Sequence, residues 1–297
     1  MSAAGKQLAD VLRPVKHVLL DFDGPVCSVF ASFPAREVAR GLARAVAEAD
    51  GDVPADWAAE TDPLALLRHI ADVRPDLTAA ADQALSALEE KAVAGARPTT
   101  GAEALLRACV DSGRSVWMVS NNSGAAITAY LTAHDLTGLV AGVFGRREGD
   151  PTSMKPNPRL LLDAMTAAGA TPAECLFIGD AARDVEAGHA ASVPTIGYAN
   201  KPGKAERLAA AGAVTVVDVL SSIATALRGD NERSLTIIDG NLVNHFTSNV
   251  WQGAGNSLEG VDSLSRAWAS ERFDATDRTP LRHRKWKEFP GLASSAR

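Results

Sequence analysis

The fold of this chain follows from one stretch near its beginning, Val15-Lys-His-Val-Leu-Leu-Asp-Phe-Asp-Gly-Pro25. The first six residues form a short, mostly apolar run of the kind that makes a buried strand. The run stops at two aspartates, a glycine and a proline, which are turn-forming residues. We therefore predict a buried strand whose carboxyl end carries Asp21 and Asp23.

Short apolar runs alternate with helical stretches from Pro98 onward. The predicted strands cover 115–119, 141–144, 175–178, 193–197 and 213–217, and the predicted helices cover 101–112, 124–134, 157–168, 182–191, 203–211 and 218–227. This alternation is typical of right-handed β-α-β units. We expect an α/β fold with a doubly wound, Rossmann-like parallel sheet and helices on both of its faces.

The region between Pro34 and Ala96 has a different pattern. Its apolar residues recur at helical spacing, and one glycine and several prolines divide it into short pieces. We predict three or four helices and no strands there, inserted after the first strand. The predicted domains are an α/β core of residues 1–30 and 98–228, an inserted helical domain of residues 31–97 and a C-terminal extension of residues 229–297.

The role of the extension is not indicated by any motif. Two parts of it, 235–238 and 264–268, are apolar enough to form a strand or a helical turn. We interpret the extension as a partly ordered, partly disordered tail, with a docking or oligomerisation element as the alternative. The oligomeric state stays open.

Composition narrows the classes of function. The chain has 297 residues, 46% of them hydrophobic, and a formal net charge of −6, which favours a globular protein and disfavours nucleic acid as the main partner. We find no apolar run near the ~20 residues of a membrane span, and no signal-peptide core. The three scattered cysteines form neither a disulfide framework nor a metal knuckle. We expect a cytoplasmic enzyme that binds neither membranes nor nucleic acid.

Chemically active side chains cluster at the ends of the predicted strands. They are Asp21 and Asp23 after the first strand, Ser120 and Asn121 after the second, Lys155 ahead of a helix, and Asp180 with Asp184 after the strand 175–178. Parallel α/β sheets form their ligand crevice at the carboxyl ends of the strands. We therefore expect these side chains to meet in one crevice.

The acidic members of this set indicate a metal. Four carboxylates around one crevice repel each other unless a cation neutralises them. Carboxylate oxygens with few other donors favour Mg²⁺, which typically takes one or two carboxylates together with a phosphate oxygen. We predict a Mg²⁺ site formed by Asp21, Asp23, Asp180 and Asp184.

The other members indicate a phosphate group. Ser120 offers a hydroxyl ahead of a helix N-terminus, and Lys155 offers a positive charge. The amide of Asn121 either contacts the phosphate or caps the helix. With the charge neutralised, Asp21 would attack phosphorus as a nucleophile. Asp23 would protonate the leaving alcohol and later deprotonate the attacking water.

In sequence order, these motifs resemble the four motifs of the haloacid dehalogenase-like hydrolases. The matching residues are Asp21-Phe-Asp23-Gly, Val119-Ser120-Asn121, Lys155-Pro-Asn-Pro and Gly179-Asp180 followed by Asp184. The resemblance spans roughly residues 15–227. The helical insertion is similar to the small cap of the phosphoglycolate phosphatase-like branch.

The resemblance implies a role for each residue. Asp21 is the nucleophile and a metal ligand, and Asp23 is the general acid/base that also offers its backbone carbonyl to Mg²⁺. Ser120 and Lys155 bind phosphate, and Lys155 also holds Asp21 in place. Asp180 is a metal ligand, whereas Asp184 is either a ligand through water or a partner that orients Lys155.

The activity implied is Mg²⁺-dependent hydrolysis of a small phosphorylated metabolite through an aspartyl-phosphate intermediate, with the cap closing over the crevice. Three alternatives are kept. A dehalogenase would not need the acid at Asp23, and a phosphomutase would need cap residues that hold a sugar phosphate in two orientations. A non-catalytic regulatory or binding module would act through the extension 229–297.

Overall fold

The computed structural model describes residues 3–51, 54–233, 235–238 and 241–244. The strands in these ranges are β1 (His17–Leu20), β2 (Cys27–Ser28), β3 (Arg97–Pro98), β4 (Ser115–Ser123), β5 (Gly142–Arg146), β6 (Cys175–Gly179), β7 (Thr195–Tyr198), β8 (Thr215–Val217), β9 (Leu235–Ile238) and β10 (Asn241–Asn244). The α-helices in the same ranges are α1 (Ala3–Leu12), α2 (Ala35–Asp50), α3 (Ala55–Ala59), α4 (Pro63–Val73), α5 (Thr78–Val93), α6 (Ala102–Asp111), α7 (Gly124–Ala133), α8 (Arg159–Ala168), α9 (Ala182–Ala190), α10 (Lys204–Ala210) and α11 (Ser221–Arg233).

Six strands form one parallel sheet in the order β5-β4-β1-β6-β7-β8. β1 lies in its centre, with His17 opposite Ser115 on one side and Cys175 on the other. The chain therefore runs outward from β1 in both directions, and the predicted doubly wound sheet is confirmed. Its carboxyl edge brings together the residues that follow β1, β4 and β6.

Alternate residues of the central strands face two separate cores. Val18 and Leu20 of β1 pack in one cluster with α6, α7 and α11, whereas Leu19 packs in another with α8 and α9. Because successive side chains of a strand point to opposite faces, helices cover both faces of the sheet. A sheet buried on both sides explains why its strands are continuously apolar.

Strand β4 is longer than predicted. It continues past residue 119 to Ser123, and its register with β5 shifts between Val119 and Ser123. The sequence there is polar, which favours a loop. The backbone stays extended because the polar side chains are buried and bonded to distant residues, Asn121 to Lys155 and Asn122 to Glu89.

Helix α1 was not predicted from the sequence. Its Leu8 and Leu12 are buried in the core cluster, and α1 packs against α11. The guanidinium of Arg114 donates hydrogen bonds to the carbonyls of Leu12 and Val15, which fixes the connection from α1 to β1. α1 is thus stabilised by contacts with residues far along the chain.

Four helices, α2 to α5, occupy the region where three or four were predicted. Their buried side chains, such as Val38, Leu66 and Leu85, form a core of their own. The chain leaves and rejoins the main sheet through a two-stranded antiparallel ribbon, in which Cys27 lies opposite Pro98. The boundaries 31–97 for a cap domain stay a prediction.

Little of the predicted extension is described. Residues 229–233 continue α11, and β9 pairs with β10 in an antiparallel hairpin, so Leu235–Ile238 is a strand. The apolar segment 264–268 and the interpretation of the remaining tail lie outside the described residues. Among the helices that the structure describes, none combines the length and apolarity needed to cross a bilayer.

Candidate active site

All seven side chains predicted from the sequence line one small cavity at the carboxyl edge of the sheet. The cavity has a volume of about 80 Å³ and is lined by Asp21, Asp23, Ser120, Asn121, Lys155, Asp180 and Asp184, among others. Their positions follow from the topology, because β1, β4 and β6 are neighbours and end at the same edge.

Lys155 joins two of the acids. Its Nζ lies 2.7 Å from Asp21 Oδ1 and 2.7 Å from Asp184 Oδ1, and it donates a hydrogen bond of 3.1 Å to the carbonyl of Val119. An ammonium group has three donors, so all of them are used within the protein. Lys155 is buried, and although burial lowers its pKa, Asp184 and Asp21 raise it overall. The side chain is therefore a buried cation that neutralises two carboxylates.

Asp21 directly follows β1, and its N–H still pairs with the carbonyl of Ile178. Burial raises the pKa of its carboxyl to about 7; Lys155 lowers this pKa, and Asp184 and Asp180 raise it. Because the neighbouring acids destabilise the ionised form, an added cation would stabilise it.

Three acids, Asp21 among them, form a candidate metal site. One carboxylate oxygen from each of Asp21, Asp180 and Asp184 falls in a group whose members are all within 4.8 Å of one another. Asp180 also accepts hydrogen bonds from Asn200 Nδ2 at 2.9 Å and from Lys204. Three carboxylates against two lysines leave a negative charge, and the donors are all hard oxygens. This donor set fits Mg²⁺.

Asp184 has a second role besides belonging to the three-acid group, and Asp23 lies outside that group. Asp184 Oδ2 accepts the N–H groups of Asp180 and Ala181 at 3.0 and 2.9 Å, so this acid fixes the turn before α9 as well as orienting Lys155. Asp23 is outside the three-acid group, and its Oδ1 accepts the N–H of Val29 at 2.9 Å. Burial raises the pKa of Asp23 to about 6, the Val29 N–H lowers it and Asp180 raises it.

The residues after Val119 hold the other side of the cavity. Asn121 accepts the Lys155 N–H at 2.8 Å and donates to the Lys155 carbonyl at 3.1 Å, so its amide fixes the Lys155 backbone. Among the described residues, Ser120 hydrogen-bonds only to Asn122, over long distances of 3.3 and 3.4 Å. The N-cap of α7 is Ser123, which accepts the N–H of Ala126. Neither Ser120 nor Asn121 caps the helix, and the Ser120 hydroxyl is the more available of the two for a ligand.

Comparison with known proteins agrees with this geometry. A family model for haloacid dehalogenase-like hydrolases matches residues 15–192, more than half of the chain. The chain belongs to this family. The matched range contains β1, the helical insertion and the strands that carry Asp21, Ser120 and Asp180.

The chain is also similar to curated relatives and to solved structures. The chain is 28% identical over 116 residues to a phosphoglycolate phosphatase of Salmonella paratyphi A, covering 39% of this chain and 45% of the relative. It is 32% identical over 136 residues to a phosphoglycolate phosphatase of Xylella fastidiosa, covering 43% of this chain and 58% of the relative. The chain thus spans about half the length of the curated relatives it matches. A predicted phosphatase from Clostridium acetobutylicum superposes with a TM-score of 0.56 at 18% identity, covering 72% of this chain and 99% of that one, which supports the fold.

This haloacid dehalogenase-like protein contains a buried ionic network that was not predicted from the sequence. Arg146, at the end of β5, has a fully buried side chain that contacts Asp82 Oδ1 at 2.6 Å and Glu89 Oε1 at 3.0 Å. It also donates to the carbonyl of Asn121 at 2.8 Å. Glu89 in turn accepts the N–H of Ser123 at 2.9 Å. The network therefore ties α5 of the insertion to the strand end that holds Lys155.

The sequence contained a partial signal for this network. Asp82, Ser86 and Glu89 are spaced four and three residues apart, so they lie on one face of α5, and Ser86 also contacts Arg146. A polar stripe of this kind is more typical of a solvated face. Its burial depends on Arg146, which is 57 residues beyond Glu89, and no local pattern indicates that pairing.

The insertion also reaches the cavity directly. Leu64 of the insertion lines it, and Arg68 donates to the carbonyl of Lys155 at 3.2 Å. Arg68 lies on α4 of the insertion. Its guanidinium is half-buried against the backbone of Lys155, so it supports the position of that residue.

We expect Gly24→Ala to reduce catalysis at least tenfold. Gly24 has φ +113°, and a Cβ there would lie 2.4 Å from Asp180 Oδ2. The substitution would both strain the turn and push Asp180 away from Asp21. Steady-state hydrolysis of p-nitrophenyl phosphate measures the effect, with Gly149→Ala as the control, because that glycine also has positive φ but an open surrounding. Equal losses of activity in Gly24→Ala and Gly149→Ala would show that the close approach of residue 24 to Asp180 is not the cause.

Proposed function

We propose that this protein is a Mg²⁺-dependent phosphatase that hydrolyses a small phosphomonoester through an aspartyl-phosphate intermediate on Asp21. The observation that carries the proposal is the buried Asp21 carboxylate, which lies 2.7 Å from Lys155 within a group of three acids. A carboxylate in this environment is suited to attack an anionic centre once the surrounding charge is neutralised. The matching family model supports the same chemistry.

In the first step, Asp21 is the nucleophile and Asp23 is the general acid. Asp21 attacks phosphorus, the bond to the alcohol oxygen breaks, and Asp23 gives its proton to that oxygen. A carboxyl with a pKa of about 6 is suited to this exchange near neutral pH. In the second step Asp23 takes a proton from water, whose oxygen attacks phosphorus and releases Asp21. The two steps return both acids to their starting states.

The remaining residues of the site would bind the phosphate, keep Lys155 and Asp21 in position, or hold the metal ion. The Ser120 hydroxyl is available to bind a phosphate oxygen, and Asn121 fixes the Lys155 backbone in place. Lys155, which also pairs with Asp184, holds the Asp21 carboxylate in position. Asp21, Asp180 and Asp184, with the backbone carbonyl of Asp23, are the groups that would hold Mg²⁺. Bound Mg²⁺ supplies positive charge that offsets repulsion between Asp21 and the phosphate.

The substrate and the cap are part of the proposal. The curated relatives are named phosphoglycolate phosphatases, which supports a small phosphorylated metabolite as the substrate class. Residues 31–97 would act as the cap, because Leu64 already borders the cavity and Arg68 contacts Lys155. A dehalogenase is less well supported, because Asp23 retains the carboxyl that phosphate ester cleavage needs.

We expect EDTA to abolish hydrolysis of p-nitrophenyl phosphate and an excess of Mg²⁺ to restore it. Without a metal ion, burial and the two neighbouring carboxylates raise the pKa of Asp21 and so disfavour the ionised form that attacks phosphorus. Initial rates before and after chelation measure this, with Ca²⁺ in place of Mg²⁺ as the comparison. Full activity in chelator would contradict the metal requirement.

A further inference from the structure

A second, larger cavity opens beside the active-site cavity, and we call it the basic cleft. Its volume is about 640 Å³, within the usual range for small-molecule sites. Asp23, Phe30, Asp180, Ala181 and Arg183 line both cavities, so the two lie side by side. An alcohol that receives its proton from Asp23 would therefore lie next to the basic cleft.

The cleft has a strong excess of positive charge. Five cationic side chains line it, Arg97, Arg183, Lys201, Lys204 and Arg207, against the two carboxylates of Asp23 and Asp180. The whole chain has a formal net charge of −6, so this excess does not follow from composition. Lys204 pairs with Asp180. Within the part of the chain that the structure describes, the other four have no carboxylate within ion-pair distance.

These four cations come from separate parts of the fold. Arg97 lies on β3, Arg183 on α9, Lys201 in the loop after β7 and Arg207 on α10. Like charges brought together oppose each other, and an anion between them removes that opposition. Arginine side chains are also suited to bind phosphate through two parallel hydrogen bonds.

We propose that the basic cleft binds a second phosphate group on the leaving alcohol, so that the substrate is a bisphosphorylated metabolite. The inference rests on the proposed function and adds the substrate class to it. A phosphate carries about two negative charges and three acceptor oxygens, which matches four cations that have no carboxylate partner among the described residues. A two-carbon acid, as in phosphoglycolate, would leave most of the cleft unfilled and offer a single charge.

Binding can be separated from catalysis with the full chain carrying Asp21→Asn. Calorimetric titration in Mg²⁺ compares fructose 1,6-bisphosphate with fructose 1-phosphate and fructose 6-phosphate. We expect the bisphosphate to bind at least about tenfold more tightly than either monophosphate, because hydrogen bonds to charged groups contribute on that scale. Adding Lys201→Gln and Arg207→Gln should remove most of this preference. Arg228→Gln, an exposed cation on α11, is the matched control.

The outcomes separate the two proposals. Any of three results would overturn the basic cleft as a phosphate site. The three sugar phosphates could bind with equal affinity, none of them could bind, or the preference for the bisphosphate could be unchanged by Lys201→Gln and Arg207→Gln. Hydrolysis of p-nitrophenyl phosphate by the unmutated protein is measured alongside. If that activity is present and the preference is absent, only this inference fails. If the preference is present and the activity is absent, the proposed function fails and the anion site stands.

Discussion

Asp21→Asn is expected to lower kcat for p-nitrophenyl phosphate by roughly 10⁴- to 10⁶-fold, the scale seen when a covalent nucleophile is removed. The amide keeps the size of the side chain but cannot form the acyl-phosphate bond. Lys155 would still pair with Asp184, so we expect the fold to be retained. Steady-state kinetics measures the loss, and circular dichroism checks the fold.

Asp111→Asn is the matched control for this variant. Asp111 is an exposed acid at the end of α6, just before β4 begins, whereas the cavity lies at the carboxyl ends of the strands. Its substitution should leave kcat within about twofold, as for ordinary surface changes. A folded Asp21→Asn protein with kcat within tenfold of the unmutated enzyme would rule out Asp21 as the nucleophile.

Arg146→Met is expected to lower the free energy of unfolding by about 3–5 kcal/mol, because it leaves two buried carboxylates without their cation. Asp82 and Glu89 are both buried, and Arg146 is the cation that contacts them in the described structure. Equilibrium unfolding in urea measures the change. Arg146→Lys, which keeps the charge but loses the forked geometry, should give an intermediate value and serves if the methionine variant does not fold.

Two comparisons separate loss of the network from loss of packing. Arg40→Met removes an exposed partner of Glu37 and should cost at most about 1 kcal/mol. Combining Arg146→Met with Asp82→Asn and Glu89→Gln removes the uncompensated charges and should recover part of the loss. An Arg146→Met protein within 1 kcal/mol of the unmutated one would mean that the network does not stabilise the fold.

The sheet and the grouping of the site residues were predictable because their signals are local. Each motif follows an apolar run, and the topology of parallel sheets brings the carboxyl ends together. The extended course of β4 through Ser123 was not predictable, since it depends on Lys155 and Glu89 rather than on neighbouring residues. Helix α1 was missed for a similar reason: its stability comes from contacts with α11 at the other end of the described chain.

The features missed at the site involve long-range charge pairing. A charged residue on a helix usually indicates a solvated face, as Asp82 and Glu89 would suggest by themselves. Only the fold shows that Arg146 lies against them. The basic cleft is a further case, because Arg97, Arg183 and Lys201 belong to three separate elements. Sequence patterns predict which residues share an element, whereas these contacts are between elements.

The central claim is covalent catalysis by Asp21, and the most direct measurement of it is to trap the intermediate. Enzyme mixed with substrate and Mg²⁺ is quenched in acid during turnover, digested and analysed by mass spectrometry. The account predicts one added phosphoryl group on the peptide that contains Asp21, and none in the Asp21→Asn protein. A phosphoryl group on a different residue, or turnover without any phosphorylated peptide in a slowed Asp23→Asn variant, would contradict it.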